Sequence, residues 1–244
     1  MGTYNIRTIG VILAISIALS LATSTALGTG NGTIPPVAGR LLVLGDSLAS
    51  GLYASSENTT YARLVADGMG MQLARRHVST LELAVVEWQG VKSWRPEIIV
   101  LEVGLNDVSH DLVNDNWGIR YHNLVSEMRG SGATVIVVTT FWGGIQPHHP
   151  KYTTYMTVNQ VIRETPGAIL ADVWKATVDC DYCVSSASDE SYFPPNYRGD
   201  GFHPNDAGHV MIAATIIEAI RGCKCDTNAP EPKHYNYYLP HVGE

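Results

Sequence analysis

The sequence predicts an α/β fold in which a parallel β-sheet is covered by helices on both faces. Four short apolar runs read as strands buried on both sides: "RLLVLGDS", "EIIVLEVG" (97–104), "ATVIVVTT" (133–140) and "AILADV" (168–173). Between them lie stretches whose apolar residues recur at helical spacing. Strands alternating with amphipathic helices are the pattern of a parallel sheet wrapped by crossover helices. No internal repeat interrupts that order.

After the first strand, "TYARLVADGMGM" reads as a helix stopped by its glycines. "STLELAVVEWQGVKSW" opens on Ser79 with Glu82 three places on, a capping-box signature, and places Leu81, Val85, Trp88 and Val91 on one stripe. Trp117, Tyr121, Leu124, Val125 and Met128 mark the apolar side of the next helix, which ends at "GSG". "YMTVNQVIRE" is helical in pattern. "NDAGHVMIAATIIEAIRG" reads as a long last helix, N-capped by Asn205 or Asp206 and stopped at Gly222. In open parallel sheets, ligands gather at the carboxyl ends of the strands. "GDSLASG", "GLND", "FWGGIQPHHP" and the approach to "DGFHP" are therefore expected to meet at one edge.

Composition bounds the chemistry. Of 244 residues, 45% are hydrophobic and 16% charged, ordinary values for a globular chain. The net charge is −7 and the 16 Lys and Arg form no basic run, which argues against nucleic acid as a partner. Arg7, the apolar stretch Ile9 to Ala22, and the small residues Ser24 and Ala26 follow the order of a secretory signal over residues 1–26. The competing reading is an uncleaved membrane anchor over residues 6–27. A Gly- and Pro-rich linker (27–37), one globular domain (38–225) and an extended tail (226–244) complete the expected organisation. Export favours disulfides for Cys180, Cys183, Cys223 and Cys225, with cross-links between the two pairs. A tetra-thiolate metal site is the alternative that their spacing leaves open.

Ser47 follows the first strand in a Gly-Asp-Ser turn, where its hydroxyl can stand at the sheet edge. Serine needs a base within hydrogen-bond reach to act as a nucleophile. Asp200 and His203, in "DGFHPNDAGH", supply an acid three residues before an imidazole, so the carboxylate can curl back to one ring nitrogen and leave the other for a hydroxyl proton. Acyl transfer also needs donors aimed at the oxyanion. The Asn106 amide in "GLND" and the backbone N–H of Ser47 fit that role. Read singly, each piece has a plainer account: a turn, a helix-start histidine, a cap. Their combination points to ester chemistry.

With "GDSL" (45–48), "GLND" (104–107) and "DGFHPNDAGH" (200–209) in this order, the chain resembles the SGNH (GDSL-type) hydrolases over about residues 40–222. The resemblance implies a flavodoxin-like three-layer α/β/α sandwich and hydrolysis of esters or thioesters without a metal or other cofactor. By position it implies Ser47 as nucleophile, His203 as base, Asp200 as its orienter and Asn106 in the oxyanion hole. One block departs: the glycine whose N–H usually joins that hole, expected near "ARRHVST" (74–80), is absent. Either His77 supplies the N–H or the hole has two donors.

The α/β-hydrolase fold is the rival, but it expects G-x-S-x-G and Ser47 is followed by Leu48-Ala49. His148 and His149 lack the carboxylate or cysteine company of a metal site; His209, His110 and His122 read as structural or without evident partner. Trp142, Tyr192 and Phe193 are expected to wall a substrate pocket. The expected activity is hydrolysis of small or soluble carboxylic esters, with a carbohydrate O-deacetylase or lysophospholipase as alternatives. A non-catalytic envelope-binding protein on the same scaffold is the reading from another class. Partners are then small-molecule, glycan or lipid esters, with membrane contact only through an uncleaved N-terminus.

Overall fold

The computed structural model describes residues 39–140, 149–178 and 203–222. In chain order these form β1 (Arg40–Gly45), α1 (Tyr61–Met69), β2 (Gln72–His77), α2 (Leu81–Val91), β3 (Ile98–Glu102), α3 (Leu105–Ser109), α4 (Trp117–Gly130), β4 (Thr134–Val138), α5 (Tyr152–Arg163), β5 (Ile169–Ala171), α6 (Val173–Val178) and α7 (Asp206–Gly222). The strands make one parallel sheet in the order β2-β1-β3-β4-β5. That is the doubly wound arrangement, in which the chain steps out to one edge and then crosses back to build the other side.

Strand side chains alternate between two cores, because successive residues point to opposite faces. Leu42, Leu44, Ile99, Leu101, Val135 and Val137 face one core, shared with Trp88 of α2, Tyr121 and Met128 of α4, and Tyr155 of α5. Leu41, Val43, Val100, Ile136 and Val138 face the other, shared with Tyr61 and Val65 of α1 and with Ile212 and Ile216 of α7. The three layers predicted by the strand and helix pattern are present.

Three local expectations are refined. β2, with sequence QLARRH, has no apolar run; it is an edge strand held by its ladder to β1, and periodicity alone does not reveal it. The cap of α2 is Thr80 rather than Ser79: Thr80 is extended and its hydroxyl accepts the Leu83 N–H at 3.4 Å, while Glu82 pairs with Arg120 instead of closing a capping box. Asn205, not Asp206, caps α7, accepting the Gly208 N–H at 3.2 Å. In contrast, the five apolar residues assigned to α4 are its five buried ones. The signal segment, linker and tail, and all four cysteines, lie outside the described residues.

Candidate active site

The crevice of a doubly wound sheet opens where crossovers leave in opposite directions, here beyond the carboxyl ends of β1 and β3. Ser47 sits just past β1 in a tight turn: Ser50 N–H donates to Asp46 O at 3.0 Å, Gly51 N–H to Leu48 O at 3.0 Å and Leu52 N–H to Ser47 O at 3.1 Å. Leu48 and Ala49 are buried beneath it and hold the turn down. Although 156 residues separate them in sequence, Ser47 Oγ and His203 Nε2 lie 3.1 Å apart. A hydroxyl at that distance from an imidazole nitrogen can pass it a proton as it attacks. His203 stands three residues before α7, so the helix start sets its position. Asp200, the expected orienter, lies outside the described residues, as do His148, Trp142, Tyr192 and Phe193.

Beneath the serine turn is a pair of buried carboxyls, Asp46 of the Gly-Asp-Ser turn and Glu102 at the end of β3. Asp46 and Glu102 are only 1% and 2% exposed. The Asp46 N–H donates to Glu102 Oε2 at 3.2 Å, and Asp46 Oδ1 accepts the Leu48 N–H at 2.9 Å. Asp46 Oδ2 accepts Asn106 Nδ2–H at 3.0 Å. Asp46 therefore ties the turn after β1 to the turn after β3. An amide nitrogen carries two hydrogens, so Asn106 keeps one N–H to offer elsewhere.

Two buried carboxyls this close do not both ionise readily. Burial pushes Glu102 well above the ordinary glutamate range, and the Asp46 charge pushes it further. Burial also raises Asp46, but the Leu48 N–H and the contact with Glu102 oppose that rise. Both carboxyls are thus pushed up, Glu102 further than Asp46. In the sequence the pair shows as the Asp of the Gly-Asp-Ser turn and a charged residue, Glu102, ending an otherwise apolar strand.

Close approach explains two glycines. A Cβ on Gly45 would come within 2.6 Å of both Ala49 Cβ and Glu102 Oε2. Gly104, at φ +123, starts α3 in a conformation that side-chain-bearing residues rarely adopt, and a Cβ there would meet Val158 at 2.8 Å. The sharp entry it allows sets Asn106 at the sheet edge.

His77 ends β2 opposite Gly45 and so reaches the same edge. Its ring, however, bonds sideways: Nδ1 is 2.7 Å from Ser50 Oγ. The neighbouring Val78 N–H is taken by Gly45 O at 2.8 Å. Asp107 is a buried tie between elements, accepting the Leu81 N–H at 3.1 Å and Trp117 Nε1–H at 3.0 Å; burial raises its carboxyl. His209 is buried on α7, with Nδ1 accepting the Tyr61 N–H at 3.3 Å, and burial lowers its ring below the ordinary imidazole range. His110 and His122, without evident partner in sequence, contact Asn106 O at 2.8 Å and Val161 O at 3.2 Å.

The family profile described as GDSL-like Lipase/Acylhydrolase matches residues 43–211. No curated protein sequence matches the chain. Among solved structures, a mutant acetyl-xylooligosaccharide esterase of Geobacillus stearothermophilus is similar at TM-score 0.61 and 19% identity, over 75% of this chain and 94% of its own. An α/β hydrolase from the metagenome of Lake Arreo aligns at 0.57 and 19% identity, over 77% and 96%. TesA aligns at 0.56 and 16%, over 75% and 98%. At these identities the likeness establishes the fold.

Proposed function

Because the chain belongs to the GDSL-like lipase/acylhydrolase family and is therefore a carboxylic ester hydrolase, we propose that it works through Ser47, His203 and Asp200 on short-chain esters of soluble alcohols, carbohydrates among them. The observation that carries this reading is the 3.1 Å contact between Ser47 Oγ and His203 Nε2. In the first step the Ser47 oxygen bonds to the ester carbonyl carbon while its proton passes to His203 Nε2. The carbonyl oxygen becomes an oxyanion, facing the second Asn106 N–H and the Ser47 backbone N–H.

Collapse of that intermediate breaks the bond to the alcohol oxygen, which takes the proton from Nε2. Water then attacks the acyl-serine, giving a proton to Nε2. When the second intermediate collapses, that proton returns to Ser47 Oγ and the carboxylic acid leaves. Asp200, three residues before His203, would hold the imidazole in the tautomer this sequence needs. The structural likeness to an acetyl-xylooligosaccharide esterase supports small acyl groups on a sugar alcohol. The N-terminal segment adds an exported, extracytoplasmic location to the proposal.

The test is covalent labelling by a fluorophosphonate beside hydrolysis of p-nitrophenyl acetate. Wild type should be labelled and active. Ser47→Ala should remain folded, resist labelling and lose at least a thousandfold in kcat. Turnover retained by Ser47→Ala would remove Ser47 from its role.

A further inference from the structure

Tyr53 lies six residues beyond Ser47 and is half exposed, at 49%, with the neighbouring Leu52 exposed at 45%. Its ring stacks on that of His203, with centroids 5.6 Å apart and planes 20° from parallel. Its backbone is in the left-handed region, at φ +66, which costs a side-chain-bearing residue strain that glycine would avoid. Bulky residues held in such a conformation point to a function for the side chain.

The segment that carries this ring is pinned at both ends to the reaction centre. At one end the Leu52 N–H donates to the carbonyl of Ser47 itself, at 3.1 Å. At the other, the N–H and hydroxyl of Ser55 donate to the Asp206 carboxylate at 2.7 and 2.6 Å, in the first residue of the helix that His203 introduces. The Ala54 N–H closes the turn on Gly51 O at 3.0 Å. Nucleophile and base are thus each fixed to the same short loop, and Tyr53 is its apex.

We propose that Tyr53 forms the alcohol-side subsite, its open face receiving the ring of a pyranose ester while its other side supports His203. The inference rests on the ester-hydrolase reading and names the part of the substrate that reading leaves open. His203 must hand its proton to the leaving oxygen, so the alcohol moiety sits at the imidazole, on the side opposite the oxyanion donors. Among the described residues, the exposed aromatic surface stacked on that imidazole is Tyr53. A flat aromatic face suits the C–H face of a sugar ring, and a preorganised one gives affinity with little ordering cost. Ser50 of the same turn and His77 at the end of β2, paired at 2.7 Å and exposed, offer polar partners for ring hydroxyls.

The experiment compares kcat/KM for an O-acetylated methyl pyranoside and for ethyl acetate, which shares the acyl group but has no ring. Tyr53→Gly should lower the pyranoside-to-ethyl ratio by roughly three- to tenfold, the range a single aromatic contact supplies, with the change in KM. Tyr53→Trp should keep the ratio. The Gly variant relieves the positive φ and should melt at or above the wild-type temperature, so lost selectivity cannot come from misfolding. Tyr53→Asn, which tolerates the same backbone, is the second non-aromatic variant.

Equal loss on both esters would overturn the subsite and leave only support of His203, and an unchanged ratio without loss would overturn both. Fluorophosphonate labelling of Ser47 in each variant separates these outcomes from failure of the hydrolase reading itself, in which wild type too would stay unlabelled.

Discussion

Replacing Glu102 with Gln tests the claim that the acid beneath the serine turn is protonated. In the folded chain Glu102 is 2% exposed, touches Asp46 and is pushed well above its ordinary value of 4.5. The other groups that feel its charge are Tyr61 of α1 and Tyr121 of α4, both raised chiefly by burial, so neither relieves it. Once pH exceeds 4.5 the unfolded chain releases the Glu102 proton while the folded chain keeps it. The group's contribution to stability is therefore full below that pH and shrinks as pH rises towards its folded value. The slope is about 1.4 kcal/mol per pH unit for one retained proton. Gln does not titrate, and its side-chain carbonyl can still accept the Asp46 N–H.

Urea unfolding of wild type and Glu102→Gln at intervals from pH 4.5 to 8 measures the difference directly. The variant should gain on wild type by up to about 1.4 kcal/mol per unit as pH rises, with the gain flattening only where Glu102 ionises in the fold. Its kcat should stay within a few-fold of wild type, because Asp46 and Asn106 keep their partners. A stability difference independent of pH, or one that turns against Gln at high pH, would refute the protonated pair.

Two further outcomes follow from the same contacts. Asp46→Asn leaves one acceptor oxygen for two donors, the Leu48 N–H and Asn106 Nδ2–H, so an NH2 group opposes one of them and the tie between the two turns is broken; kcat should fall on the order of 10²-fold with little change in KM, as read from steady-state hydrolysis. Asp107→Ala should leave the Leu81 N–H and Trp117 Nε1–H buried without partners and cost about 2–5 kcal/mol in urea unfolding.

Much of the architecture is legible in the sequence because it is local. Apolar runs at β1, β3 and β4, and the helical stripe from Trp117 to Met128, state which residues are inside whatever their neighbours turn out to be, whereas β5, read as buried on both sides, is an edge strand in which only Ala171 is buried. β2 escapes this reading since an edge strand with Arg75, Arg76 and His77 buries too little to show a run. The "GDS", "GLND" and "DGFHP" blocks likewise mark themselves by composition and by their positions after strands or before a helix.

What the chain's order of residues determined, then, is which segments are strands and helices and which side chains carry reactive atoms. Only the tertiary structure decided their distances: the 3.1 Å from Ser47 to His203, the buried Glu102 beside Asp46, and the Tyr53 ring lying against the base. The physical reason is that periodicity and turn preference act over a few residues. Contact across 156 positions depends instead on the order in which parallel strands pair, and on the desolvation that such pairing imposes.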